Sequence, residues 1–533
     1  MSRHLFYGCL LSEIKVPMQS GMAIKLTDVS KRFGAVRAND KVSLSVEAGT
    51  IHGIVGENGA GKSTLMSILY GFYQYDSGTT EVFGKDHYFN NSREALAAGI
   101  GMVHQHFMLV DPFTVLENVM LGNEGGKLLK EGREQARTEL TRLADEYGLS
   151  VDVNARVSSL SVGHQQRVEI LKALYRGAKI LILDEPTGVL TPQETTELFR
   201  ILNALKDQGV TIILITHKLQ EIMAITDNVS VMRAGKMVAH RKTSETSKED
   251  IAELMVGRKV LLQVDKDESV TGKPLISVKN LTVKDAQGIE RVKNVSFDVK
   301  AGEVVGIAGV SGNGQSELLE ALSGITKIDE GSIEINGSLL TRKQPISPSK
   351  MRDIGLAHVP EDRHRMGMVN SFAAYESSAL GYHNDEAYNG RFLMSRQKVK
   401  EYCGKLMDAF DVRPRDPNLK SANFSGGNQQ KLILAREIER NPDILLVGQP
   451  TRGVDIGAIE FIHKRIIEMR DAGKAVLLVS VELEEIISVS DRVLVMCDGY
   501  ISGEVSAAEA DEKTLGLMMT NTDAAANLEE VVS

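Results

Sequence analysis

The sequence predicts an α/β fold made twice over, with a parallel sheet in each half, and three observations carry that prediction. Short β-branched apolar runs such as Ile180–Leu183 and Val210–Ile215 have the composition of strands buried on both faces of a sheet. Stretches with helical spacing, Glu131–Tyr147, Gln165–Tyr175 and Gln193–Asp207, lie between and around them. The pattern also recurs. Ser43–Val46, Ala48-Gly49 and Ile51–Gly56 return as Ser296–Val299, Ala301-Gly302 and Val304–Gly309, an offset of 253 residues. Leu160–Gln166 returns as Phe424–Gln430 and Asp184–Thr187 as Gly448–Thr451, both offset by 264. A period near 250 is far too long for a solenoid repeat, so the unit duplicated is a whole domain.

The expected organisation is a flexible extension at 1–21, a first domain at 22–262, a polar linker at 263–274, a second domain at 275–515 and a flexible tail at 516–533. Met22 opens a strand pattern, Ala23–Val29. Ile51–Val55 reads as a strand, Leu65–Tyr70 as a helix, and Thr211–Thr216 as a strand closed by His217. The longest apolar runs, such as Ala475–Val481, reach only seven residues, whereas a spanning helix needs about 20. Three cysteines, Cys9, Cys403 and Cys497, stand far apart, with no pairing that suggests a disulfide framework or a zinc site. Acidic residues outnumber basic ones by 71 to 62, a net charge of −9, the opposite of what binding by phosphate neutralisation usually requires.

Gly56-Glu57-Asn58-Gly59-Ala60-Gly61-Lys62-Ser63-Thr64 fits the phosphate-loop pattern and has the required strand before it and helix after it. Its glycines let backbone N–H groups turn onto phosphates, Lys62 adds positive charge at the β and γ phosphates, and the Ser63 hydroxyl suits Mg²⁺. Ile180–Leu183 ends in Asp184 and Glu185. The first carboxylate sits where it can hold Mg²⁺, the second where it can deprotonate a water attacking the γ-phosphorus.

Leu160-Ser-Val-Gly-His-Gln-Gln166 and Phe424-Ser-Gly-Gly-Asn-Gln-Gln430 resemble the signature of the ATP-binding cassette (ABC) family. The resemblance runs over residues 22–515 and implies two tandem P-loop nucleotide-binding domains. Each would have a RecA-like parallel-sheet core, an antiparallel β-subdomain and a helical subdomain. It implies ATP and Mg²⁺ as ligands. Phe33 would stack on adenine, Gln105 would be a catalytic and metal-ligating glutamine, and His217 the switch histidine beside Glu185 and Lys62. In that family two cassettes face head to tail. The first loop would therefore be served by Ser425, Gly426, Gly427 and Gln429, and the second by Ser161 and Gly163.

The second copy departs from the pattern. Gly309, Gly312 and Gly314 keep the loop and Ser316 keeps its hydroxyl, but Gln315 stands in place of the lysine. Gly448-Gln449 replaces the two carboxylates, Val481 the histidine, and Glu361 the glutamine. Loss of a general base alone costs about 10²- to 10⁴-fold in rate. The expectation is one competent site and one degenerate site.

A tandem cassette with a degenerate second half resembles the ATPase subunits of bacterial importers for nucleosides and simple sugars. His104–Val110, Leu190–Glu194, Ile215–Leu219 and Val359–His364 look most like the nucleoside branch, with ribose and galactoside importers as the alternative. That resemblance implies two membrane-spanning permease subunits, an extracytoplasmic substrate-binding lipoprotein acting through them, and a peripheral position on the cytoplasmic face of the cell membrane. Phe107–Asn123 and Arg365–Gly381 are the expected docking segments. A ribosome- or nucleic-acid-associated ATPase is the rival class. It would call for two intact sites and a basic insert, whereas the join carries Lys266 and Lys273 against Asp265, Asp267 and Glu268.

Overall fold

The computed structural model describes residues 21–519 apart from 35, 105–106, 123–128, 189, 260–265, 268, 311, 386–387 and 389–393. The chain divides into two units, Met1–Lys259 and Val260–Ser533. In the first, a six-stranded sheet runs from edge to edge as Lys236–Lys242, Asn228–Arg233, Ile51–Val55, Thr211–Ile215, Ile180–Asp184 and Ile100–Val103. Every neighbouring pair is parallel except the first. Ile51–Val55 and Thr211–Ile215 are buried at every position, which is why their sequences are apolar runs without alternation.

A second, antiparallel sheet orders Val36–Glu47, Met22–Phe33, Ser77–Val82 and Lys85–His87. Here Met22–Phe33 and Val36–Glu47 bury part of their residues and expose the rest, as expected of strands with one face on a core. Ile24, Leu26, Val42 and Leu44 pack with Leu65, Met66 and Leu69 of the helix Lys62–Leu69, so the phosphate-loop helix lies in the core between the two sheets. The helical part holds Val115–Met120, Leu129–Tyr147 and Val162–Tyr175.

The second unit repeats this topology. Its six-stranded sheet orders Leu356–Val359, Ile444–Gly448, Ala475–Ser480, Glu303–Gly309, Arg492–Cys497 and Tyr500–Ser506. The same chain order in both sheets is the structural counterpart of the sequence repeat.

Two expected boundaries shift. Pro274, placed at the end of the linker, opens the strand Pro274–Lys284 and is paired with Lys300. The helix Glu512–Met518 crosses residue 515, because Leu515 and Met519 are buried in the second unit's core. Residues 1–20, 263–265, 268 and 520–533 of the expected extension, linker and tail lie outside the described residues. Among the described residues, no helix is long and apolar enough to cross a membrane.

Candidate active site

The first unit's loop, from Gly56 to Gly61, joins the buried strand Ile51–Val55 to the helix Lys62–Leu69. Gly61 has φ 100°, and a Cβ there would stand 2.3 Å from the Ala38 carbonyl oxygen, so both conformation and space require glycine. Lys62 is buried, and its Nζ donates to the carbonyl oxygens of Gly56 (2.6 Å) and Glu57 (3.1 Å), folding back over the loop. Burial pushes its pKa down, against the pull of Glu185 and Asp184. Asn58 and Gly59 are exposed, and Ala60 is buried against the core.

Asp184 ends the strand Ile180–Asp184, beside the Ser63 hydroxyl of the loop helix. Burial raises its pKa, and the neighbouring Glu185 charge adds to the rise. One hydroxyl and one carboxylate therefore converge at the start of the loop helix, a donor set that fits Mg²⁺ shared with phosphate oxygens. Gln105, the third expected ligand, lies outside the described residues.

Glu185 follows with φ 48°, a left-handed backbone that is rare for this residue type. Its Oε1 is 3.0 Å from Nδ1 of His217, and that hydrogen bond is the main cause holding the Glu185 carboxyl below its ordinary pKa. An ionised carboxylate only accepts, so Nδ1 carries the proton. Carboxylate, lysine and histidine thus come together as expected, although they are spread over some 150 residues of chain.

Phe33 ends its strand partly exposed and meets Tyr73 edge-on, with ring centroids 5.1 Å apart. Thr64 continues the loop helix. Ser161 caps the helix Val162–Tyr175, and Ser425 caps Gly426–Ile438. Gly163 and Gly427 are hemmed in: a Cβ would meet Glu194 Oε1 at 2.7 Å in one case and Asp455 Oδ2 at 2.8 Å in the other. A Cβ on Gly426 would meet the Gly453 carbonyl oxygen at 2.8 Å, so a local backbone contact alone requires that glycine. Gln429, expected among the nucleotide-binding residues, is turned inward instead. It is buried and donates to the Ser421 carbonyl at 3.0 Å.

Two contributors were not read from the sequence. Buried Glu221 accepts from Thr187 Oγ1 and, at 3.0 Å, from Thr216 Oγ1, tying together the two loops that carry Glu185 and His217. Its only signal was a glutamate at the start of Leu219–Ile225, on the face that also buries Leu219, Ile222 and Ile225. Tyr73, beside Phe33, carried no signal beyond being aromatic.

In the second unit Gly312 and Gly314 keep φ 93° and 99°, but Gln315 is buried where the lysine would be. Gln449 repeats the left-handed backbone at φ 48°, and its Oε1 accepts from the Val481 backbone N–H at 3.4 Å. An amide held by a backbone group cannot take a proton from water.

The sequence profile of the ABC transporter family matches residues 39–188 and 292–452. The chain is 47% identical over 502 residues to the nucleoside import ATP-binding protein NupA of Lactococcus lactis subsp. cremoris, covering 94% of this chain and 99% of that protein. It is 47% identical to the guanosine import ATP-binding protein NupO of Bacillus subtilis, over 94% of this chain and 97% of that one. To the glucose import ATP-binding protein TsgD13 of Haloferax volcanii it is 44% identical, over 93% and 95%.

Proposed function

The chain belongs to the ABC transporter family, and on that footing we propose that it is the ATP-hydrolysing subunit of an importer for nucleosides. The observation that carries the proposal is the asymmetry of chemistry on a repeated backbone. Lys62, Asp184, Glu185 and His217 converge in the first unit, and Gln315, Gly448, Gln449 and Val481 stand at their places in the second. Hydrolysis belongs to the first.

ATP is the substrate. Backbone N–H groups at the start of Lys62–Leu69 and the Lys62 ammonium bind its phosphates, and Phe33 offers a ring face for the base. Ser63 and Asp184 would hold Mg²⁺, which supplies positive charge beside the β and γ phosphates. Glu185 takes the proton of the attacking water, and His217 fixes its carboxylate in place.

The partners proposed are two permease subunits and, through them, an extracytoplasmic substrate-binding lipoprotein. Supply of ATP puts the chain on the cytoplasmic face of the membrane. Sugar import is the second reading, favoured by the glucose-import relative. The test is Glu185→Gln in the assembled complex. ATP binding should persist while hydrolysis falls by about 10²-fold or more. Hydrolysis within a few-fold of wild type removes Glu185 as the base.

A further inference from the structure

Each signature helix begins with a serine whose hydroxyl oxygen caps it. In the first unit Ser161 Oγ accepts from the His164 backbone N–H at 3.4 Å, and in the second Ser425 Oγ accepts from the Asn428 backbone N–H at 3.4 Å. The side chain of that same third helical residue then returns to the serine. His164 Nδ1 lies 2.8 Å from Ser161 Oγ, and Asn428 Nδ2 lies 2.8 Å from Ser425 Oγ. The two contacts match in position and length but differ in chemistry.

A serine hydroxyl has one proton and two lone pairs, so what it can offer a ligand depends on what its neighbours use. The amide of Asn428 is held in one orientation, because its Oδ1 accepts from the Arg413 backbone N–H at 2.7 Å. A backbone N–H only donates. The atom that faces Ser425 is therefore the amide NH2 group, which also only donates. Both lone pairs of Ser425 Oγ are thereby occupied, one by the Asn428 backbone and one by its side chain. Its proton is what remains for a ligand, and Ser425 is exposed. His164 imposes no such direction on Ser161. The Nδ1 of a neutral imidazole donates in one tautomer and accepts in the other, and as an acceptor it takes the serine's proton and leaves a lone pair outward.

We propose that Asn428 is a positioning residue that presets the Ser425 hydroxyl as a hydrogen-bond donor to a phosphate oxygen of ATP. The inference deepens the ATPase reading and rests on the expectation that Ser425 serves the first phosphate loop. A phosphate oxygen only accepts, so a hydroxyl that presents a lone pair to it is repelled and one that presents its proton is bound. Fixing that proton before ATP arrives leaves nothing to reorganise as charge develops in the transition state. The difference between the two helices also follows the difference between the two loops. The directed donor belongs to the signature expected to serve the intact loop, and the undirected one to the signature expected to serve the loop carrying Gln315.

Steady-state ATPase rates of the assembled complex test this with three substitutions. Asn428→Ala frees the hydroxyl to choose among three staggered positions and should cost about 3-fold in kcat. Asn428→Asp keeps the size and the acceptor for Arg413 but turns a second acceptor onto Ser425, which then gives up its proton inward. Here kcat should fall by about 10²-fold, as if the donor had been removed, with the KM for ATP little changed. The new carboxylate lies in the first turn of a helix, where negative charge is favourable, so the fold is not weakened. Ser425→Ala separates the role of the serine from that of the added charge. In the Ser425→Ala background Asn428→Asp should cost little further. A wild-type rate for Asn428→Asp, or an equal loss with and without the Ser425 hydroxyl, would overturn the proposal. A wild-type rate for Ser425→Ala would instead overturn the reading of the signature on which it rests.

Discussion

At Glu185 and Gln449 the backbone turns through the same left-handed angle, φ 48°, although only one of the two can act as a base. Such strain for a residue with a side chain costs about 1–3 kcal/mol and persists only where its surroundings impose it. The repeated backbone holds the same conformation in both copies, although it positions a carboxylate in only one. Position by position, the motif residues of the first copy were legible because their spacing in the chain is set by the chemistry. Glu221 was not, because what identifies it is its burial between Thr187 and Thr216, a property of the folded chain. His52 is of the same kind. It lies 3% exposed on the strand Ile51–Val55, with Nε2 2.6 Å from Ser230 Oγ, which is itself 2.8 Å from Nδ1 of His240. Burial, reinforced by the nearby His240, pushes its pKa down to about 4 from 6.5. Between those two values the unfolded chain binds the extra proton, so stability falls as pH drops from about 6.5 towards 4. The first unit should lose roughly 2 kcal/mol between pH 7.5 and 5 from this group. Urea midpoints measured at both pH values on wild type and His52→Gln check it: the variant should show the smaller loss, and equal losses would assign the acid sensitivity elsewhere.

Among the elements, strands buried on both faces and the helices between them were readable from periodicity, since a parallel sheet leaves no polar alternation to confuse the reading. Boundaries were less so. The helix Glu512–Met518 runs past residue 515 because Leu515 and Met519 find a core, and nothing local in the sequence marks that. The signature helices carry the expectation, drawn from the family resemblance, that each serves the other copy's phosphate loop. Ser425 caps Gly426–Ile438 in the unit that has Gln449 in place of the base, and Ser161 caps Val162–Tyr175 in the unit that has Glu185. If each unit worked alone, Ser161→Ala would damage hydrolysis and Ser425→Ala would not. We expect the reverse, with Ser425→Ala costing about 10²- to 10³-fold in turnover, the usual effect of removing an oxyanion donor. Loss of the N-cap costs about 1 kcal/mol in either helix, so the pair controls for stability. Serine is the better probe than glycine, because Asp455 crowds Gly427 and Glu194 crowds Gly163, and substitution there would disturb packing as well as catalysis. Steady-state ATPase rates of the two variants decide the order.

For the whole molecule, the cargo is the property furthest from the residues described. On the proposed reading the ATPase subunit meets its nucleotide and its permeases, not the solute, so selection of the solute would act on this chain only through which permeases it fits. That is why the phosphate chemistry could be read from motifs while the cargo rested on family resemblance in stretches such as His104–Val110 and Val359–His364. Within the expected docking segments, Val115, Leu116, Val119 and Met120 are buried as core, while Met108, Phe113, Leu121 and Phe372 keep exposed apolar surface. Exposed side chains can change without cost to the fold, and on the proposed reading the choice of permease, and with it of cargo, would act through them. The proposal of nucleoside import therefore makes a prediction about cells and not about the isolated chain. Deleting this chain should abolish uptake of labelled uridine and guanosine while leaving ribose and glucose uptake intact, and the wild-type chain should restore it. Glu185→Gln should fail to restore it although it assembles with the same membrane subunits, since binding without turnover cannot reset the transporter. Loss of sugar uptake with nucleoside uptake unchanged would transfer the cargo to the sugar class and leave the ATPase assignment standing. Restoration by Glu185→Gln would separate uptake from hydrolysis at the first site.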